Sequence, residues 1–384
     1  MSVEAAGLSA DRPETRLATR LAFFAAGFVL GCWSPLIPYV KQRLGLDDAG
    51  LGLLLLGLGA GSVAAMPLAG IACTHFGTRK VTVAGGLGLA LLFPAVGFVG
   101  SLWTMGAVVI LIGIFLGMLE VGMNSHAVEV ERGSPGPLMS GFHALFSIGG
   151  FAGAGGATVL LSSGASPGLT ASACALLALA AILVAWPMLL KAEPEAGSNA
   201  IVFPRGVVLV IALLTATTFL VEGAILDWGA LLVTEQGLVG IAMGGFGYML
   251  FSVAMTVGRI FGDRFVAAVG SRRCLIWGGG VTIGGILLVT LTPHIAISAI
   301  GFVAIGLGAS NIVPVLFSLA GTQKDMPSGQ AVAAVATTGY GGILLGPAAI
   351  GFVANATSLQ TAFLALALLM CLVPLLAVRV TRNT

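Results

Sequence analysis

Apolar residues run along this chain in long unbroken stretches, separated by short clusters of charged residues, Gly and Pro. Twelve runs, near residues 20–40, 49–72, 81–100, 102–126, 137–161, 168–190, 205–233, 240–262, 274–293, 295–318, 330–354 and 359–379, have the length of a membrane-crossing helix. A hydrocarbon core about 30 Å thick needs about 20 apolar residues per helix. None of the runs alternates apolar with polar positions, which excludes the strand pattern of a membrane β-barrel. The pattern predicts an all-α membrane protein of twelve transmembrane helices.

Composition agrees with this. The chain has 384 residues, 58% hydrophobic and 8% charged, with a mean hydropathy of +1.07. A formal net charge of +2 leaves no basic face for nucleic acid. Cys32, Cys73, Cys174, Cys274 and Cys371 lie far apart without a CxxC or Cys/His spacing, so neither a disulfide framework nor a metal site is expected. No HExxH, GxSxG or Walker motif is present, and no cofactor and no enzymatic activity are expected. Residues 1–19 are polar and mixed in charge and read as a cytoplasmic tail before an uncleaved first span.

The distribution of positive charge orients the helices. With the N-terminus in the cytoplasm, fifteen Lys and Arg fall on the cytoplasmic side and only Lys41 and Arg43 on the other. This predicts an inner-membrane protein with both termini cytoplasmic. The same tally leaves no Lys or Arg for the middle of the membrane, which disfavours large anions such as phosphate or dicarboxylate substrates.

The longest polar interruption, residues 191–204, divides the chain into a first bundle at 20–190 and a second at 205–379, followed by a short tail at 380–384. The halves resemble each other. "CW" at 32–33 matches "DW" at 227–228, and "GLG" at 50–52 matches "GFG" at 245–247. "GTRK" at 77–80 matches "GSRR" at 270–273, "GMLE" at 117–120 matches "GASN" at 308–311, and "GG" at 149–150 matches "GG" at 341–342. Offsets that stay between 191 and 195 indicate a duplicated six-helix unit.

On these residues the chain resembles the major facilitator superfamily over essentially its whole length. The signature between the second and third spans, G-x-L-A-D-R-x-G-R-K, is matched by "GIACTHFGTRK" at Gly70, Gly77, Arg79 and Lys80, with Thr74 where the family has Asp. Its counterpart, "GRIFGDRFVAAVGSRR", keeps Gly270, Arg272 and Arg273, has Ala267 at the acid position, and carries Asp263 four residues after Arg259. The resemblance implies a cytoplasmic gate around Gly77, Arg79, Arg259, Asp263 and Arg272, and a monomer. Within the superfamily, "LEVGMN", "EGAILDW" and "WSPLIP" resemble the fucose/proton symporter-like group, although Cys32 to Ile37 supplies no acid on the first span.

Glu120 is the acid of "LEVGMN". It falls about six residues, or about 9 Å, beyond the middle of its run. An ionised carboxyl exposed to lipid at that depth costs about 2.5–3.5 kcal/mol, so it is expected to face a cavity and to exchange a proton. The resemblance implies a proton and substrate site at this position. Asn124, four residues on, shares its face and offers donors and an acceptor either to a hydroxylated ligand or to a neighbouring helix. Asn311, matched to Glu120 by the repeat, carries the same two readings.

Glu222 and Asp227 lie on the seventh span about 140° apart at about 100° per residue, so both reach one ligand only if the helix is broken. Glu222 is the second proton-coupling candidate, and Asp227 a substrate-contacting or rim group. Trp33 and Trp228, matched by the repeat, read as aromatic walls for a substrate or as interfacial anchors. Tyr340, with Tyr248 and Phe142, is placed to line the centre. His143 reads as a proton relay with Glu129 or Glu131 or as an interfacial hydrogen bonder, and His126 and Glu129 as cytoplasmic-end polar groups. Glycine-rich stretches such as "GFHALFSIGGFAGAGG" and "GYGGILLGPAAIG" read as surfaces of close helix approach.

The sequence thus predicts a transporter that exchanges with protons, membrane lipids and a small-molecule substrate. The favoured form is alternating-access proton symport of a sugar or polyol with Glu120 as proton carrier. The alternative is a proton-driven antiporter exporting lipophilic or cationic compounds.

Overall fold

The computed structural model describes residues 12–134, 138–191, 204–326 and 328–382. The N-terminal tail through residue 11, most of the 191–204 linker and the last two residues lie outside the described residues. Among the described residues there is no strand, and twelve helices are long and apolar enough to cross a membrane. They are α1 (Pro13–Leu44), α2 (Asp48–Cys73), α3 (Thr78–Phe98), α4 (Leu102–Glu131), α5 (Gly141–Ser162), α6 (Pro167–Met188), α7 (Gly206–Glu235), α8 (Ile241–Ile260), α9 (Ser271–Leu291), α10 (Ile295–Thr322), α11 (Ala334–Ala356) and α12 (Leu359–Val380). Each covers one of the twelve apolar runs. α10 is interrupted at Ser310 and Asn311, where the helix ending at Ala309 gives way to one starting at Ile312.

The helix ends carry the duplication more clearly than the interiors. α1 and α7 both end in a reversal closed by a left-handed glycine: Gly45 has φ 62° and Gly237 has φ 70°. In the first, Gly45 N–H donates to Gln42 O and Leu46 N–H to Lys41 O; in the second, Gly237 donates to Thr234 O and Leu238 to Val233 O. This paired pattern satisfies carbonyls that a helix end otherwise orphans, and glycine adopts the positive φ without a Cβ penalty. Gly77 and Gly270 are a second matched pair of positive-φ glycines, before α3 and α9, with φ 83° in both. Ser166 and Ser358 cap α6 and α12 alike, each accepting from the backbone N–H three residues on.

The contacts gather the chain into two compact units. The first comprises Met1–Leu36 and Gly57–Ser198, the second Ile37–Leu56 and Asn199–Thr384. The end of α1 and the start of α2 therefore group with the second half of the sequence.

In the first unit α1 and α5 meet backbone to backbone. A Cβ built on Gly31 would stand 2.0 Å from Gly150 O, and one on Gly153 would stand 2.1 Å from Phe28 O. α2 and α4 meet in the same way, through Gly61 against Ile110 O and Gly113 against Leu58 O. Lipid tails are as apolar as Leu, so such close van der Waals packing, and not exclusion from water, holds these helices together. In the second unit Gly342 packs on Ala216 O, bringing α11 onto α7, and Gly285 and Gly301 bring α9 onto α10.

The side chain of His126, read from the sequence as a cytoplasmic-end polar group, is fully buried. Its Nε2 accepts from the Leu190 N–H at 2.9 Å. Nδ1 therefore carries the ring proton and donates to Thr19 Oγ1 at 3.1 Å, while the Thr19 hydroxyl donates to Thr15 O. This chain of hydrogen bonds clasps α1, α4 and the end of α6. His126→Leu is expected to leave the buried Leu190 N–H without an acceptor, at about 1–3 kcal/mol, while the Thr19 hydroxyl keeps its bond to Thr15 O. The check is the melting temperature of purified protein in detergent, which should fall well below that of the parent.

Candidate functional site

Polar groups within the spans fall into one cluster in each unit. In the first unit the helix carrying Glu120 runs on to Glu131, further than its apolar run suggests, so Glu120 sits only about 5 Å past the middle of α4 at about 1.5 Å per residue. Gly113, Gly117, Glu120 and Asn124 fall on one stripe of α4, within about 60° of arc at about 100° per residue. Gly113 and Gly117 lay this stripe directly on α2, at Leu58 and Ser62. Glu120 is half-buried. Among the described residues its carboxyl makes no hydrogen bond and no ion pair. Asn124 does not orient it, because the Asn124 amide donates to the Glu120 backbone carbonyl at 2.8 Å.

The acids near the end of α4 already have partners. Glu129 accepts from Thr78 Oγ1 at 3.0 Å, and Glu131 accepts from the Leu138 N–H at 2.6 Å. His143 is exposed and stands edge-on to Phe23, which itself stacks on the buried Phe142.

In the second unit Glu222 stands within two residues of the middle of α7, and Arg259 in the last turn of α8. Side chains lean toward the N-terminus of their own helix, so Arg259 reaches back along α8 toward the level of Glu222 on its antiparallel neighbour. Arg259 Nη2 lies 3.7 Å from Glu222 Oε2, with the two side chains 30% and 19% exposed. The second oxygen, Oε1, is buried and has no hydrogen-bond partner. The pair is single-pronged, without the two parallel bonds that Arg and a carboxylate can form. Tyr248 and Asp227 stand near enough to this pair for their charges and the hydroxyl to influence one another.

This geometry corrects the tally that left no Lys or Arg for the membrane interior. Arg259 had been counted with the cytoplasmic side because it closes an apolar run; the length and lean of its side chain carry its charge inward. α7 is one unbroken helix from Gly206 to Glu235, so Gly223 and Gly229 introduce no break, and Glu222 and Asp227 keep their different faces.

The remaining predicted positions are built into the packing to different degrees. Trp33 is 2% exposed and encased by Leu58, Leu89, Phe93 and Leu116 of the first unit; Trp228 is fully buried. Neither indole N–H has a hydrogen-bond partner. Asn311 occupies the interruption of α10, where its amide donates to Gly258 O at 3.0 Å and to Ser310 Oγ at 2.9 Å. Tyr340 is partly exposed and packs obliquely on Phe219. Of the residues predicted for a gate, Gly77 has a positive φ of 83°, Arg79 is half-buried and Arg272 is exposed. The side chains of Thr74 and Asp263 lie outside the described residues.

One further cluster escaped the sequence. Lys41, near the end of α1, lies 2.7 Å from Asp48 at the start of α2 and 2.6 Å from Glu235 at the end of α7. The three groups come from positions up to 194 residues apart, and no local pattern marks them.

Twelve helices long and apolar enough to cross a membrane, among the described residues, define a multi-pass membrane protein. The Major Facilitator Superfamily family model matches residues 20–327, and the chain belongs to that superfamily, whose members carry out secondary transport across a membrane. It is 43% identical over 368 residues to an uncharacterized MFS-type transporter of Yersinia pestis, covering 96% of each chain. It is 31% identical over 360 residues to the membrane protein MosC of Rhizobium meliloti, covering 91% of this chain and 86% of that one. Among solved structures it superposes on the nucleoside transporter NupG with a TM-score of 0.74 at 14% identity, over 96% of this chain and 100% of that one. A bacterial homologue of the human lysosomal transporter Spinster gives a TM-score of 0.73 at 11% identity, over 96% of each chain. At these identities the structural likenesses speak for the fold alone.

Proposed function

We propose that this chain is a proton-coupled symporter of a small hydroxylated solute, working by alternating access, with Glu120 as its proton carrier. One observation carries the reading: a carboxyl close to the middle of α4 with no basic partner among the described residues. An ionised acid in that position is costly and a protonated one is tolerated, so loading and unloading a proton changes the cost of closing the site. Glu222, on the second unit, is the other group able to take part. The likeness to fucose/proton symporters supports the symport direction. The charge asymmetry of the loops supports an inner-membrane protein, surrounded by lipid, with both termini in the cytoplasm, and the superfamily likeness supports a monomer.

The preference for a neutral sugar or polyol rested partly on a missing cation, and Arg259 removes that part of its support. The antiporter reading weakens for a related reason, since a lipophilic cation seeking Glu222 would have to displace Arg259. The test is proton movement in liposomes loaded with a pH-sensitive dye. Addition of a transported sugar, polyol or sugar acid outside is expected to acidify the interior, and an uncoupler to abolish the signal. Interior alkalinisation, or solute uptake with no proton movement, would overturn the proposal.

A further inference from the structure

We propose that the turn between α8 and α9 binds an anionic phospholipid, with the lipid phosphate on Arg264, Arg272 and Arg273 and the glycerol and upper acyl chains against Phe265 and Trp277. The site lies wholly within the second unit and depends neither on the transported solute nor on proton coupling. After α8 a short helix, Gly262–Val269, leads through Gly270, with φ 83°, to the start of α9 at Ser271. Phe265 of the short helix and Trp277 of α9 pack on each other with ring centroids 6.3 Å apart. Neither ring is covered: Trp277 is 50% exposed and Phe265 40%, and Ile260 and Phe261 just before them are exposed as well.

Three arginines stand beside this aromatic pair. Arg273 is four residues before Trp277 on α9 and shares its face, Arg272 precedes it, and Arg264 is next to Phe265 on the short helix. All three are exposed, and among the described residues none of them has a hydrogen bond or an ion pair. Trp277 lies six residues into α9, about 9 Å from its start at about 1.5 Å per residue, so the indole sits below the level of the guanidiniums. Aromatic rings at that depth occupy the headgroup region, and long arginine side chains reach up from it toward water. The layering follows that of one lipid molecule: phosphate at the arginines, glycerol and first acyl carbons at the rings.

Charge selects the headgroup. Residues 260–277 hold three arginines against one acid, Asp263, whose side chain lies outside the described residues. The neighbouring helices add no acid: α8 has Arg259, α10 has no charged side chain, and α12 has only Arg379. A positive patch at the membrane surface attracts an anionic lipid, whereas a zwitterionic lipid brings its own cation and gains little. Guanidinium groups grip a phosphate through paired hydrogen bonds, which adds geometry to the charge. The exposed rings favour a lipid over a small soluble anion, which would leave them uncovered.

The test is quenching of Trp277 fluorescence by lipids with brominated acyl chains, using the full chain in mixed micelles at neutral pH. The emission that Trp277→Phe removes reports this site. Phosphatidylglycerol is expected to quench it at mole fractions at least about tenfold below those of phosphatidylcholine with the same chains, since each basic group at a membrane surface is worth about fivefold toward an anionic lipid. Arg264→Gln, Arg272→Gln and Arg273→Gln together should bring the two lipids within about twofold of each other. The size-exclusion profile should not change, because the three side chains are exposed. Arg12→Gln, Arg20→Gln and Lys80→Gln together remove as many exposed charges from the first unit and should leave the preference at the parent level. Equal quenching by both lipids in the parent, a preference that survives in the first triple variant, or one that falls as far in the second would overturn the inference.

Discussion

Glu120→Gln is expected to turn concentrative uptake into simple equilibration. In proteoliposomes a pH difference of one unit supports about tenfold accumulation per coupled proton, since a tenfold ratio corresponds to about 1.4 kcal/mol. The amide keeps the size and hydrogen-bonding shape of the carboxyl but cannot carry the proton, so the gradient loses its hold on the solute. Radiolabelled solute should then reach the same concentration inside and outside, while exchange between preloaded and external solute continues. That split separates proton coupling from a structural role: a residue needed only for packing would depress exchange and accumulation together. Accumulation that persisted in the variant would remove Glu120 from the mechanism. Asn124→Ala, by contrast, should leave accumulation near the parent level, because its amide is already spent on the Glu120 backbone carbonyl.

The second large effect is expected at the α1 and α5 seam. A valine at Gly31 would place a Cβ at 2.0 Å from Gly150 O, where carbon and oxygen cannot approach within about 3 Å, and the contact is with backbone, which has no rotamer to change. The helices must separate, forfeiting the reciprocal contacts of Gly27, Gly149 and Gly153 along the same seam. Overpacking in a dense interior typically costs about 1–3 kcal/mol, and a backbone clash repeated along a seam belongs at or above the top of that range. Gly31→Val should therefore yield little monodisperse protein by fluorescence-detected size exclusion. Gly156→Ala on α5 is the matched control, since a Cβ there meets nothing within 4 Å, and it should behave as the parent does.

The elements themselves were legible because membrane insertion is a local property: length and apolarity of a run decide it. The duplication was legible for a related reason. Capping chemistry is also local, and "GTRK" and "GSRR" carry the glycines that turn the chain at Gly77 and Gly270. Gly45 with Gly237, and Ser166 with Ser358, held the same signal at an offset of 192 and could have been found by aligning helix ends in place of interiors.

The candidate site was only half legible. Glu120 and Glu222 stand out because an acid inside an apolar run is costly wherever the run folds. Their partners do not stand out, since a partner is a matter of distance. Arg259 looked like a member of the cytoplasmic side from its place near the end of a run, and only the packing of α8 on α7 brings its guanidinium to Glu222. Asn311 looked like a counterpart of Glu120, and only the interruption of α10 shows its amide engaged with Gly258. His126 read as a polar group at a helix end, and only the packing places Thr19 and Leu190 on either side of its ring.

What the sequence determined by itself is what depends on single segments: twelve apolar helices, their duplication, and the presence of two costly carboxyls inside them. Tertiary structure decided which of those carboxyls has a counter-charge. Hydrophobicity acts on each residue where it stands, whereas an ion pair exists only when two side chains from separate helices come within about 4 Å, and helix packing sets that distance. Glu120 and Glu222 are alike in sequence and unlike in the fold, one without a partner among the described residues and the other held beside Arg259.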